Sequence, residues 1–334
     1  MLSSLLIPVS DKEIGVENKL FFNQYFTSLD NFPDLSVANV ALIGNGSDIS
    51  KNVRKSIENF KNHFKNIQIV DLGDVLNDED HLENILSELN KHNIIPILIG
   101  FDASIAYKFA SENNKAVHFV CNNLPYIDAD DNQIKNYIGY QRHIVSLEEM
   151  NEVDQISFNS LSLGKLRGSI NNIEPNLRDT ETLYINLNVV RSSDAPNAIG
   201  TLPAGLTTEE LCQIMKFAGT SNKINAVFLD VKLSNQESKI ESNVLALALW
   251  YLVEGINMKM NDHPSQSNDF SGYIINGSTS QDIEFIRHNI SQKWWIMLTD
   301  DQGQKFYLPC SNDEYTQTIA DEIPDRVLKF LNNH

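Results

Sequence analysis

The residues best able to do chemistry in this chain are scattered and do not form a known signature. Cys121 follows the apolar run Ala116–Val120, at a strand's carboxyl end, where parallel α/β sheets place their ligands. A thiolate there would be a nucleophile, whereas a buried thiol would be a small hydrophobe. His118 alternates with Val117 and Phe119 and has no second His or carboxylate two residues away. A hydrogen-bonded structural histidine is therefore expected there, not a metal ligand. Asp128-Ala129-Asp130-Asp131 gathers carboxylates as a hard-cation loop would. Its sixth and twelfth positions, however, are Gln133 and Gly139, where an EF-hand needs Gly and Glu. A solvated acidic turn is the expectation. Gly44-Asn45-Gly46 follows another apolar run, yet Ile49 fills the place of the third glycine of a dinucleotide fingerprint. No GxxxxGK[ST], HExxH or GxSxG occurs, so P-loop, zincin and α/β-hydrolase readings fail on motif. Cys121, Cys212 and Cys310 lie far apart without a CxxC. They fit neither a disulfide framework nor a zinc site.

The elements that must position these groups alternate along the chain. Apolar runs at Ala38–Ile43, Ile67–Leu72, Ile94–Ile99, Ala116–Val120, Gln155–Asn159, Thr182–Leu187 and Ala226–Val231 are separated by segments of helical period. This is the pattern of a parallel sheet covered by helices. Ile94–Ile99 is apolar throughout, as a central strand buried on both faces should be. Ser47 or Ser50 is placed to cap a helix carrying Val53, Ile57 and Phe60. Further helices are expected at Leu82–Leu89, Ile105–Ala110, Thr208–Ala218 and Val244–Glu254, the last apolar all round and hence in the core. After Ile256 the chain turns polar through Asn261–Ser265, a linker. Beyond it, Lys293–Leu298 and Lys305–Leu308 flank Asp300-Asp301-Gln302-Gly303 as a hairpin, and Pro324–Leu331 reads as a closing helix. Adjacent Trp294 and Trp295 must point to opposite faces of their strand. One can then cover the main domain while the other serves a neighbouring subunit, unless the terminal helix around Val327, Leu328 and Leu331 buries both.

Composition limits the partners. Lys and Arg number 26 against 44 Asp and Glu, a formal net charge of −18 over 334 residues, with 42% hydrophobic residues. Nucleic acid is not an expected partner, because neutralising phosphates needs a basic stripe. The local basic density at Lys51–Lys65 is diluted by Glu58 and several Asn. The longest apolar run falls far short of the roughly 20 residues of a membrane helix. Leu2–Pro8 lacks the basic region of a secretory signal. A soluble cytoplasmic protein with no membrane partner is the expectation.

In order, these segments resemble the ureohydrolase family of arginase, agmatinase and formimidoylglutamase. Ile69-Val70-Asp71-Leu72-Gly73-Asp74-Val75 is similar to a strand end of that family. Ile94 to Ser104 resembles the strand leading into its Gly-Gly-Asp-His-Ser motif. Tyr184 to Asn188 resembles its Ser-Phe-Asp-x-Asp strand, Ser193–Pro196 its proline-containing loop, and Ala204–Glu210 its Gly-Gly-Leu-Thr helix start. The resemblance covers about residues 36 to 256 and is closest to a bacterial formimidoylglutamase-like branch, where the tail from about 266 looks like an extension. It implies a three-layer α/β/α domain over 1–260 with a mostly parallel sheet of about eight strands. A small β-hairpin and helix extension over 266–334 would pack on it.

The family's chemistry does not carry over. There, two manganese ions are held by one His and five further ligands on three strand ends. The His aligns with Ala103; the ligands of Asp-Ala-His-x-Asp fall on Cys121, Asn123 and Pro125; and the paired aspartates fall on Asn186 and Asn188. The substrate-side Glu falls at or near Asp230. Neutral amides do not offset two divalent ions, and without them nothing lowers the pKa of an attacking water. The resemblance thus implies a metal-free, non-catalytic pocket, with no cofactor, lined at these positions and flanked by Asp102 and Asp230. A small guanidino or amino-acid-like ligand or an assembly role would suit it, and the resemblance implies a homo-oligomer. The alternative is a hydrolase of linear amidine or formimino C–N bonds with a degenerate site, using Asp102, Cys121, Asp230 or His118.

Overall fold

Short runs of β-branched residues become strands and the amphipathic stretches between them become helices. The computed structural model describes residues 2–10, 21–76, 79–126, 134–156, 159–235, 239–276, 282–299 and 303–328. Its strands are β1 Leu6–Ile7, β2 Gln24–Tyr25, β3 Val40–Gly44, β4 Ile69–Val75, β5 Ile95–Ile99, β6 Val117–Val120, β7 Lys135–Tyr140, β8 Leu161–Ser162, β9 Thr182–Asn186 and β10 Ala226–Asp230. These ten form one sheet in the order β1-β4-β3-β5-β10-β9-β6-β7-β8, with β2 also paired to β4. All pairings are parallel except β1 with β4. The helices are α1 Asp48–Ile57, α2 Glu79–Lys91, α3 Ala103–Glu112, α4 Leu147–Ile156, α5 Leu163–Gly168, α6 Glu174–Leu177, α7 Thr208–Gly219 and α8 Ile240–Asn257.

Helices cover both faces of the sheet. On one face α1, α7 and α8 send Val53, Ile57, Ile214, Met215, Leu245 and Leu249 onto Leu42, Ile97, Ile185 and Leu229. On the other, α2 and α3 send Ile85, Leu89, Ala106 and Phe109 onto Ile43, Leu98, Phe119 and Phe228. The α8 helix is buried along most of its length, as its apolar circumference requires. Its Gly255 meets Gly219 of α7 so closely that a Cβ there would lie 2.1 Å from the Lys216 carbonyl oxygen. Glycine is what lets these two helix backbones touch.

The sheet has ten strands where about eight are expected, and two local expectations differ. Of the run expected as a strand at Gln155–Asn159, Gln155 and Ile156 end a helix instead, and residues 157 and 158 lie outside the described residues. Residues 147–156 are helical, started by a capping box in which Ser146 N–H donates to Glu149 (2.8 Å) and Glu149 N–H donates to the Ser146 hydroxyl (3.2 Å). The strand falls instead at Leu161–Ser162. Ser47 does stand at the N-cap of α1, but its hydroxyl bonds Asn45 and leaves the helix end uncapped by side chain.

Beyond α8, β11 Phe270–Ile275, β12 Ile283–His288, β13 Trp294–Thr299 and β14 Lys305–Cys310 form a separate antiparallel sheet, followed by α9 Asn312–Ile319. The expected hairpin is β13–β14, in register Trp294↔Cys310, and part of its turn lies outside the described residues. Residues 325–328 are helical, and Leu331 of the closing helix also lies outside the described residues. The two tryptophans do face opposite ways, but both are buried within the chain. Trp294 stacks on Tyr315 at 4.6 Å and clusters with Val327. Trp295 lies under the Arg178 guanidinium at 4.6 Å. Neither is left for a neighbouring subunit. Arg178, itself held by Glu174, also donates to the Trp294 carbonyl (2.6 Å) and ties the second sheet to the main one.

Under the main sheet's edge, Arg54 is buried at 2% exposure. It donates to Asp71 at 2.9 Å, Asp74 at 2.7 Å and the Gly73 carbonyl at 2.6 Å. Removing one partner of a buried ion cluster strands the others. Arg54→Met is therefore expected to cost about 3–5 kcal/mol in urea denaturation, with loss of less than about 1 kcal/mol arguing that the cluster is hydrated.

Candidate functional site

Parallel register brings four strand ends level. Asp230, the last residue of β10, pairs with Asn186, the last of β9, and Val120 of β6 pairs with Ile185. Cys121 therefore follows at the level of Asn186. Leu229 pairs with Ile99, so the turn after β5 reaches the same level. A cavity of about 370 Å³ opens there, lined by Ala103, Cys121, Asn123, Pro125, Asn186 and Asn188, with Asp102 and Asp230 beside them. All eight candidate pocket residues named from the sequence share this cavity. Its place beyond the carboxyl ends of central parallel strands is where open α/β sheets form crevices.

A hydrogen-bonded chain of amides organises the cavity. Asn186 accepts from Asn188 N–H at 2.9 Å and donates to Asp230 at 3.1 Å and to the Tyr184 hydroxyl at 3.3 Å. The Tyr184 hydroxyl donates to the same Asp230 oxygen at 2.8 Å. Asn188 donates to Asn123 at 3.0 Å and accepts from Asn122 N–H at 3.2 Å. Burial pushes the Asp230 carboxyl above the usual carboxylate range, against the hydrogen bond from Tyr184 and the charge of Lys232. Tyr184 is likewise pushed up, by burial first and then by the Asp230 charge.

The remaining candidates divide by role. Asp102 is the N-cap of α3, its carboxylate accepting from Ser104 N–H and Ile105 N–H. The Cys121 thiol donates to the Asn123 carbonyl at 2.7 Å, and burial pushes its pKa up. His118 does not line the cavity. It is buried within β6, accepts at Nε2 from Asn136 at 3.2 Å, and has its pKa pushed down to about 4 by burial. The acidic stretch at Asp128–Asp131 lies outside the described residues. Tyr184 and Lys232 also line the cavity and were not singled out from the sequence. Each lies two residues along the chain from a named candidate, Tyr184 from Asn186 and Lys232 from Asp230. For Tyr184, which shares β9 with Asn186, the period of the strand puts both on one face.

No known family profile and no curated protein matches the sequence. The architecture does match solved structures. Formimidoylglutamase from Bacillus subtilis superposes with a TM-score of 0.56 at 17% identity, covering 71% of this chain and 95% of that one. A Trypanosoma cruzi formiminoglutamase solved with Mn2+ gives 0.56 at 14% identity, over 67% and 95%. The agmatine ureohydrolase of Thermoplasma volcanium gives 0.51 at 13% identity, over 67% and 91%. The chain has the ureohydrolase fold.

On this ureohydrolase fold the donors at the strand ends do not suit a pair of divalent ions. Among the described residues no group of three His, Cys, Asp or Glu side chains is placed to hold a metal ion. The cavity offers three carboxamides already bonded to one another or to Asp230, a protonated thiol, and two carboxylates, one of which caps a helix. Hard divalent cations select clustered carboxylates, carbonyls and water, and two of them bring four positive charges.

The Asn186 amide donates to a buried carboxylate, so exchanging it for a carboxylate sets two like charges in contact. Asn186→Asp is expected to cost about 1–3 kcal/mol near neutral pH. The pair's folded-state pKa is raised, so the deficit is present above that pKa and shrinks as pH falls through it. Urea denaturation at pH 7.5 and pH 5 checks this, and a deficit independent of pH would contradict it.

Proposed function

We infer that this chain is a non-catalytic ureohydrolase-fold protein. Its strand-end cavity would bind a small guanidino or amino-acid-like cation without metal ions. The observation that carries this reading is the state of Asp230. Its carboxylate faces the cavity with both structural hydrogen bonds on one oxygen, from Tyr184 and Asn186, and no ion pair among the described residues. Burying a carboxylate with only the charge of the exposed Lys232 nearby is costly, and a guanidinium or amidinium group would relieve that cost through two parallel N–H···O bonds. Lys232, on the same cavity wall and without an ion pair among the described residues, would meet a ligand carboxylate, which suits an amino-acid-like molecule.

The hydrolytic alternative has less support from the side chains. Cys121 is a buried thiol held as a donor, Asp102 is occupied at a helix end, and His118 sits outside the cavity. Nothing there prepares a nucleophile, which in acyl or amidine chemistry needs a neighbouring base or a lowered pKa.

Calorimetric titration of the full chain with agmatine, arginine and formiminoglutamate, in the presence of a chelator, tests the proposal. One-to-one binding of at least one is expected, weakened by about tenfold or more in Asp230→Asn. Binding should strengthen as pH rises through the elevated Asp230 pKa, because the cation pairs with the ionised form. No binding by any of the three, or release of urea, formamide or ammonia on adding manganese, would overturn it.

A further inference from the structure

A second cavity, of about 610 Å³, opens at the end of β7 between α4 and α5. It shares no lining residue with the amide cavity, although the two are neighbours: Gln141 N–H donates to the Asn122 carbonyl at 2.8 Å. Arg142 and His143 reach it from the turn after β7, and Lys165 reaches it from α5. Among the described residues these three side chains form no ion pair or hydrogen bond. In a chain with 44 acidic against 26 Lys and Arg residues, Arg142 and Lys165 gathered at one cavity stand against the overall composition.

Two carboxylates of α4 and α7 are engaged within their own helix starts. Glu149 turns back to Ser146 N–H, and Glu210 closes the capping box of α7 with Thr207. Other groups in the cavity have unused hydrogen-bonding capacity. Ser162, buried at the start of α5, makes no capping bond with its hydroxyl. Gln141, 2% exposed, donates Nε2 to the Ala204 carbonyl at 2.8 Å while its Oε1 has no partner. That oxygen only accepts, so it suits a hydroxyl or N–H on the body of a ligand and not its anionic end. Leu147, Met150 and Leu163 give the cavity apolar walls.

The geometry points to an anion site of its own: a small organic oxyanion, a phosphate monoester or a carboxylate, held with its charged end among Arg142, His143 and Lys165 and its body against the apolar wall. Guanidinium binds such groups with a two-pronged set of N–H bonds and ammonium binds them as a point charge. The volume falls within the usual range for small-molecule pockets, about 300–1,000 Å³. The net charge of −18 repels anions from the molecule as a whole, so retention of one requires a local cluster of this kind.

Titration calorimetry of the full chain in low-chloride buffer, with phenyl phosphate in one arm and glutarate in the other, tests the assignment. Saturable one-to-one binding is expected in at least one arm, and the arm that binds identifies the ester or the carboxylate as the preferred oxyanion. Arg142→Gln and Lys165→Gln change exposed side chains and should keep the native circular dichroism. Each should weaken binding by about tenfold. Asp230→Asn should leave it unchanged, which separates this site from the amide cavity. Failure of both probes to bind up to about 10 mM, or equal binding by wild type and both charge-removing variants, would overturn it.

Discussion

Parallel register is the constraint on which everything else in this molecule depends. Because β10 pairs with both β9 and β5, and β9 with β6, residues from four distant stretches of sequence arrive at one level of the sheet. A one-residue slip in any pairing would turn a strand over and send its polar end group into the opposite layer. The burial of strands such as Ile95–Ile99 and Leu183–Ile185 on both faces makes that slip costly. The core thereby holds the cavity in place, and the helix starts that follow, such as α3 with its Asp102 cap, close its sides.

Within that frame the electrostatics of the cavity turn on a single buried carboxylate. Asn186, Tyr184 and Asn188 form a connected polar network that satisfies its members without adding charge, and Asp230 brings a carboxylate into it. A fully bonded network of this kind fixes side-chain geometry, and its low-dielectric setting magnifies any charge that remains unpaired. Similar logic acts at Arg54, where the charges are instead paired inside the protein. The contrast is between a closed ion cluster at Arg54 and a carboxylate at Asp230 that makes no ion pair among the described residues.

Much of this was legible in the sequence because it depends on periodicity. The apolar runs marked the central strands to within two or three residues, and the all-apolar Val244–Trp250 stretch marked its helix as buried. Positions such as Asn186 and Asn188 became legible through resemblance to a family whose ligands occupy those places, since an isolated Asn carries no signal of its own. The edge was harder. Lys135–Tyr140 is a strand whose Lys and Asn interrupt the apolar pattern, and Gln155 and Ile156, expected in a strand, were taken by the end of a helix that a Ser146–Glu149 capping box starts. The second sheet was half visible. Trp294–Thr299 and Lys305–Cys310 carry aromatic residues, while Phe270–Ile275 is broken by Ser271 and Gly272. The Arg142, His143 and Lys165 group could not be read at all, because it forms only when the end of one strand meets the start of a short helix.

The central claim is that the amide-lined strand ends of this ureohydrolase fold are built for an organic cation and not for a metal pair. Equilibrium dialysis of the purified chain against manganese, followed by elemental analysis, tests it most directly. The account predicts far less than one ion per chain at metal concentrations that saturate ordinary carboxylate sites. Two ions per chain, bound tightly and released by Asp230→Asn, would contradict it.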